Sequence, residues 1–233
     1  EFDAGLREHM LRVYNYMVCG LLLTGILAVL VAQASVITNE AGQIVGLTGL
    51  GQTLFGSPLK WVVMLAPLGL VFFLSARLHK MSFGTAQTTF WIYAGLMGIS
   101  MATIFMTFTG ASVARVFFIT AGTFAGMSLW AYTTKKDLSG WGSFLFMGLI
   151  GIIIAMVVNI FLESSALQFA ISVIGVLVFI GLTAYDTQAI KNEYADHFDE
   201  ETQGKLAISG ALRLYLDFIN LFIMLLHLFG NRE

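Results

Sequence analysis

Seven apolar runs, each long enough to cross a bilayer, constrain this chain more than any other feature. A hydrocarbon core about 30 Å thick takes about 20 mostly apolar residues of α-helix. Within it every backbone N–H and C=O must be satisfied, which leaves only helices and closed barrels. The runs cover roughly residues 11–35, 58–76, 83–106, 112–133, 142–162, 166–190 and 208–229. They are continuously apolar instead of alternating, which argues against a barrel. Of the 233 residues, 58% are hydrophobic and only 11% charged, where soluble domains carry about a quarter. The expected fold class is therefore all-α, a polytopic integral membrane protein with a seven-transmembrane-helix bundle. Residues 1–233 read as one transmembrane domain.

Short junctions between the runs carry charge or turn chemistry: "ARLHKMS", "TTKKDLSG" and "ESS". The longer segment from Val36 to Ser57, rich in Gly, Thr and Gln, reads as an extramembrane loop. A second polar stretch, "KNEYADHFDEETQGK" at 191–205, separates the last two runs, and its acidic residues read as a soluble loop. Lys and Arg placement sets the orientation. With the N-terminus cytoplasmic, the inner side holds Arg7, Arg12, Arg77, Lys80, Lys135, Lys136, Lys191 and Lys205, against Lys60, Arg115 and Arg232 outside. The last run could alternatively form a re-entrant hairpin, since it carries charges of its own. Gly122 with Gly126, and Gly148 with Gly151, read as helix-packing positions. His9, His79, His197 and His227 are scattered and read as solvated. A net charge of −2 offers no field for nucleic acid, and the single Cys19 leaves no intramolecular disulfide.

The last run holds two charges. Each charge at a helix centre costs about 2.5–3.5 kcal/mol on the insertion scale, so Arg213 and Asp217 together cost about 5–7 kcal/mol. Thirteen Leu, Ile and Phe residues in the same span return roughly 4–8 kcal/mol. The terms nearly cancel, so the helix inserts with its charges turned to neighbours or a water cavity. Asp217 lies nine residues past Ile208, about 13 Å along the helix. Arg213, Asp217, Asn220 and Met224 share one face. The sixth run places Asp186 near its inner end, in "LTAYDTQ". Spans six and seven are antiparallel, so Asp186 and Asp217 reach similar depths. If they meet, both cannot easily ionise in a low dielectric, and they titrate as a unit. Arg213, four residues from Asp217, is the intrahelical charge partner, and Arg77 is the interhelical candidate. An internal salt bridge alone would explain Arg213, but it leaves Asp186 without a purpose.

"LTAYDTQ" and "LYLDFINLF" resemble motifs of the Bax inhibitor family, the transmembrane Bax-inhibitor-motif (TMBIM) proteins. "TFAGMSLWAYTTKKDLS", "GLIG" and "VVNIFLES" look like its bacterial branch, and the likeness runs from the first span to the C-terminus. The resemblance implies seven helices with a central C-terminal helix enclosed by the other six. It implies a bacterial inner (plasma) membrane and a pH-sensitive calcium leak. It also implies that Asp186 and Asp217 form a hydrogen-bonded, proton-sensing pair on the ion path. The family's latch is an arginine at the inner end of span two. "LSARLHKMS" offers Arg77, with Lys80 as the alternative alignment. Arg213 departs from members with a neutral residue there, and an added cation favours ionised carboxylates and a transition at lower pH. On this reading, ionised Asp186 engages Arg77 and holds the path shut, and protonation opens it.

The expected partners are calcium ions, protons and the lipid bilayer, with protein partners left open. No tightly bound cofactor is expected. Two carboxylates fall short of the six to eight oxygens a calcium store needs, and no D-x-D-x-D-G loop occurs. Calcium is thus expected as a permeant ion touching Asp186 and Asp217 transiently, since conduction needs weak sites. Two aspartates on adjacent membrane helices also fit an intramembrane aspartyl protease. However, the glycine-flanked G-x-G-D and the P-A-L of presenilin-like proteases are missing. Hydrolase, zinc-protease and P-loop motifs are likewise missing, and no enzyme activity is expected. A non-conducting regulator that binds other membrane proteins is the remaining alternative.

Overall fold

The computed structural model describes residues 4–232. Its long helices are α1 (Ala4–Ser35), α2 (Leu59–Arg77), α3 (Phe83–Thr107), α4 (Gly110–Thr133), α5 (Trp141–Leu162), α6 (Ser165–Glu193) and α7 (Glu200–Phe229). Among the described residues, these seven are long and apolar enough to span a membrane. The all-α polytopic architecture read from the sequence is the one the chain adopts.

Three boundaries differ from those set by hydropathy. Helix α1 starts at Ala4, α6 continues to Glu193 and α7 starts at Glu200, so much of the polar 191–205 stretch is helical. Hydropathy marks where a helix is greasy, whereas the backbone ladder continues beyond that point. Asp199 starts α7 by accepting hydrogen bonds from the Thr202 side chain and backbone N–H, which hold its pKa below the ordinary aspartate value. Glu200 and Glu201 follow in the first turn, where acidic groups complement the helix dipole. Helix α7 then runs unbroken for 30 residues, about 45 Å, so it is no re-entrant hairpin.

The segment between α1 and α2 is more ordered than a plain loop. Strands β1 (Val36–Thr38) and β2 (Ile44–Leu47) pair antiparallel, with Val36 opposite Leu47. Asn39 Oδ1 accepts from the Gln43 N–H at 2.8 Å. Gly42 sits at φ 78°, a left-handed conformation that costs glycine no Cβ clash. Helical passages at Gly49–Gly51 and Gln52–Gly56 follow, and a Cβ on Gly51 would collide with the Ser35 carbonyl oxygen.

Backbone contacts group the chain into two compact units. One contains Leu11–Thr109 and His197–Ala211. In it α1 and α3 pack closely: Thr24 Oγ1 donates to the Ala94 carbonyl at 2.8 Å. A Cβ on Gly98 would sit 2.7 Å from the Thr24 carbonyl oxygen and 2.9 Å from Leu27 Cβ. Gln87 Nε2 donates to the Tyr16 hydroxyl at 3.1 Å, and the Tyr16 ring packs on Phe90 and Trp91. The Phe83 ring lies over Gly204 at the start of α7.

The other unit contains Gly110–Asp196 and Leu212–Asn231, with residues 4–10. Phe117 and Phe124 of α4 meet Phe218 of α7, with ring centroids 5.6 and 5.5 Å apart. Arg115 donates to the Phe229 carbonyl at 3.2 Å, placing a cation at the negative end of α7. Gly181 accommodates Leu145, and Gly175 accommodates Met224. Of the four glycines read as packing positions, only Gly148 has a close neighbour, Val178 at 3.0 Å from an added Cβ. Gly122, Gly126 and Gly151 face open space, because a G-x-x-x-G spacing gives a smooth face without deciding whether anything covers it. The inner-end turns of α6 are pinned by polar contacts. Gln188 Oε1 accepts from the Leu138 N–H at 2.7 Å, and its Nε2 donates to the Lys136 carbonyl at 2.8 Å. Lys191 Nζ donates to the Tyr132 carbonyl at 2.8 Å, and the Ser128 and Thr187 hydroxyls share a hydrogen bond at 2.9 Å.

These contacts predict two stability changes, both read by thermal unfolding of the detergent-solubilised chain. Gly98→Leu is expected to cost about 1–3 kcal/mol, because the added carbons meet backbone that cannot move aside cheaply. Gln188→Ala is expected to cost about 1–3 kcal/mol by leaving the buried Leu138 N–H unpaired. Unchanged midpoints would contradict the contacts.

Candidate functional site

Asp186 sits on α6 and Asp217 on α7, in the same compact unit. Their carboxyl groups are in side-chain hydrogen-bond contact, the juxtaposition expected from two antiparallel helices. Asp217 is 5% exposed, while Asp186 is half-buried. Ionised carboxylates only accept hydrogen bonds, so the contact needs one proton between the two groups. Among the described residues, no N–H or hydroxyl reaches the buried Oδ2 of Asp217. The shared proton is the hydrogen that Asp186 offers Asp217.

The charged surroundings differ from the sequence reading. With Arg77 as the interhelical candidate, the sequence offers Arg213 as the intrahelical charge partner of Asp217. Its guanidinium instead donates to Glu193 Oε2 and forms an ion pair with it. Glu193 is the last residue of α6, so this pair ties the end of α6 to α7. The Arg213 charge still acts on both Asp186 and Asp217, and Glu193 acts on Asp186. Arg213 Nε is buried with no hydrogen-bond partner among the described residues. The physical reason for the difference is the extension of α6: its last turn carries a carboxylate that hydropathy had assigned to a soluble loop. Residues 186 and 193 are seven apart, close to two helical turns. That spacing could have revealed Glu193 had the helix been extended.

Farther along α7, Asn220 Nδ2 donates to the Leu216 carbonyl at 2.8 Å. Met224 is 4% exposed and seated against Gly175, so the polar face ends in an apolar contact. Thr183 and Thr187 donate to the carbonyls of Phe179 and Thr183, leaving α6 internally satisfied around Asp186. Arg77 lies in the last turn of α2, and Lys80 ends the Leu78–Lys80 turn that follows; both belong to the other unit. His9, read as solvated, is 5% exposed and stacks on Tyr194 at 5.3 Å between ring centroids. Among the described residues, no group of three or more His, Cys, Asp or Glu is arranged to hold a metal ion.

Comparison with known proteins adds the family. The family model described as "Inhibitor of apoptosis-promoting Bax1" matches residues 6–233. An uncharacterized protein of Rickettsia prowazekii is 47% identical over 232 residues, covering 100% of this chain and 93% of its own. Inner membrane protein YbhL of Escherichia coli K12 is 47% identical over 237 residues, covering 99% and 94% respectively. An uncharacterized membrane protein of Streptococcus pyogenes is 39% identical over 168 residues, covering 70% and 71%. With a family match across nearly the whole length and these relatives beside it, the chain belongs to the Bax inhibitor family of membrane proteins.

Proposed function

We propose that this protein is a pH-sensitive calcium leak of a bacterial inner membrane, with Asp186 and Asp217 as proton sensor and ion path. The observation that carries the reading is the carboxyl–carboxyl contact at Asp217, an acid buried within a membrane-spanning helix. A buried charge is costly and functional by default in a membrane helix, and a shared proton lets the charge of this pair change by one. The name of the Escherichia coli relative supports the location. Lys and Arg placement supports a cytoplasmic N-terminus.

Calcium enters as a permeant ion. Two carboxyls cannot replace most of its hydration shell, so it keeps much of its water and leaves readily. Loss of the shared proton changes both the attraction for a cation and the contact that holds α6 to α7. Gating follows from that coupling, with protonation favouring the open path. Arg77 is assigned as a charge that favours the closed state, with Lys80 as the alternative.

The purified full-length chain in calcium-loaded vesicles, followed with an indicator dye from pH 6 to 8, tests this directly. Flux rising at least several-fold toward pH 6 is expected. Asp217→Asn is expected to flatten that pH dependence, and Arg77→Gln to raise flux at pH 8. An unchanged pH profile in Asp217→Asn removes that residue from the sensor. The absence of flux in the wild-type chain would return the pair to a non-conducting regulator. Cleavage of membrane-spanning peptides, lost in Asp186→Ala, would instead favour the protease chemistry open to a proton-sharing pair.

A further inference from the structure

Two buried polar atoms one helical turn apart on α7 lack conventional partners, and they are complementary. Among the described residues, Arg213 Nε is a donor with no acceptor, and Asp217 Oδ2 is an acceptor that no N–H or hydroxyl reaches. Buried unpaired groups are costly, especially on charged side chains. Residues four apart on a helix are neighbours, with Cβ atoms about 5–6 Å apart. An arginine fork can hold two acceptors. Yet here the guanidinium is committed to Glu193, whose side chain is 41% exposed at the end of α6, against 30% for Arg213.

We propose that Arg213 is a two-position counterion, held by Glu193 while Asp186 and Asp217 share a proton and transferred to Asp217 when that proton leaves to water. In the first position Asp217 is satisfied through Asp186, and Glu193 keeps the guanidinium away. In the second, the Arg213 Nε–H supplies the hydrogen bond that Asp217 has lost, and both unpaired atoms are matched. Glu193 is then released toward solvent, and the tie between the end of α6 and α7 opens. Glu193 is thus a positioning residue that sets the pH at which the aspartate pair lets go. The charged groups acting at this place are Glu193 and Asp186 from α6 and Asp217 and Arg213 from α7. His9 of α1 stacks on Tyr194, the residue after Glu193. The inference rests on the reading of the aspartate pair as a proton sensor.

Infrared absorption of the protonated carboxyl group, titrated in the detergent-solubilised full chain, tests it without any flux measurement. Asp217→Asn assigns the band. Glu193→Asp keeps the charge but shortens the reach by one methylene. It is expected to free Arg213 and move loss of the band about half a pH unit lower. Glu193→Gln is expected to move it about one unit lower, a tenfold change in proton activity, partly because an anion near Asp186 is also removed. In an Arg213→Gln background the shift from Glu193→Asp should vanish and that from Glu193→Gln should shrink to the direct charge effect. No shift in Glu193→Asp, or equal shifts in both backgrounds, overturns the proposal. Glu193→Asp decides by itself if Arg213→Gln does not fold. Normal pH-dependent calcium flux with additive shifts overturns this inference alone. Non-additive shifts in a chain without flux support the switch and overturn only the calcium reading.

Discussion

The contact between Asp186 and Asp217 is the constraint on which the proposed function rests. An aspartate in the middle of a membrane helix is tolerable only beside a partner, and here the partner is a second acid. Such a contact persists while one proton bridges two acceptor-only groups. It therefore ties protonation directly to the packing of α6 against α7. Helix α7 is suited to carry the more buried member. Its apolar segment is 61% buried, against 11–39% for the other spans, so Asp217 is covered by protein and the greasy remainder secures insertion.

The surrounding packing holds one side of that contact more firmly than the other. The end of α6 is fastened to α4 and to the 134–140 turn by Gln188, Lys191 and the Ser128–Thr187 hydroxyl pair. These bonds use neutral groups or a lysine on a backbone carbonyl, and protonation of the aspartates leaves them intact. The Arg213–Glu193 pair between α6 and α7 is different, because both partners carry charge and both are partly exposed. Exposed ion pairs contribute little to stability, which makes this one suited to being exchanged. Adaptable packing continues at Met224, whose flexible thioether side chain fills the space over Gly175. A change in the carboxyl pair thus meets a fixed helix on one side and a movable set of contacts on the other.

Much of this protein is legible in its sequence. Seven spans follow from hydropathy because lipid leaves the backbone no alternative to a helix. Asp186 and Asp217 stood out for the same reason, since charge at membrane depth is expensive enough to need an explanation. Antiparallel succession of the last two spans then placed both acids at one depth. What sequence could not supply was which side chains end up opposite one another. Gly122 and Gly126 have packing spacing, yet they face open space, while Gly98 receives Thr24 and Leu27 without any motif to announce it. The 36–57 segment looked like loop composition, and its hairpin depends on a local turn at Asn39 and Gly42.

The amino-acid sequence by itself determined the solvent, the number of helices and the identity of the acids, because these depend on local composition and on the energetic cost of burying charge. Tertiary structure decided the partners. It extended α6 to Glu193 and gave Arg213 an acceptor on another helix in place of the aspartate on its own. It also left Asp217 dependent on Asp186 for a hydrogen. Those outcomes turn on where helices stop and which faces meet, and such distances arise only once the chain is packed.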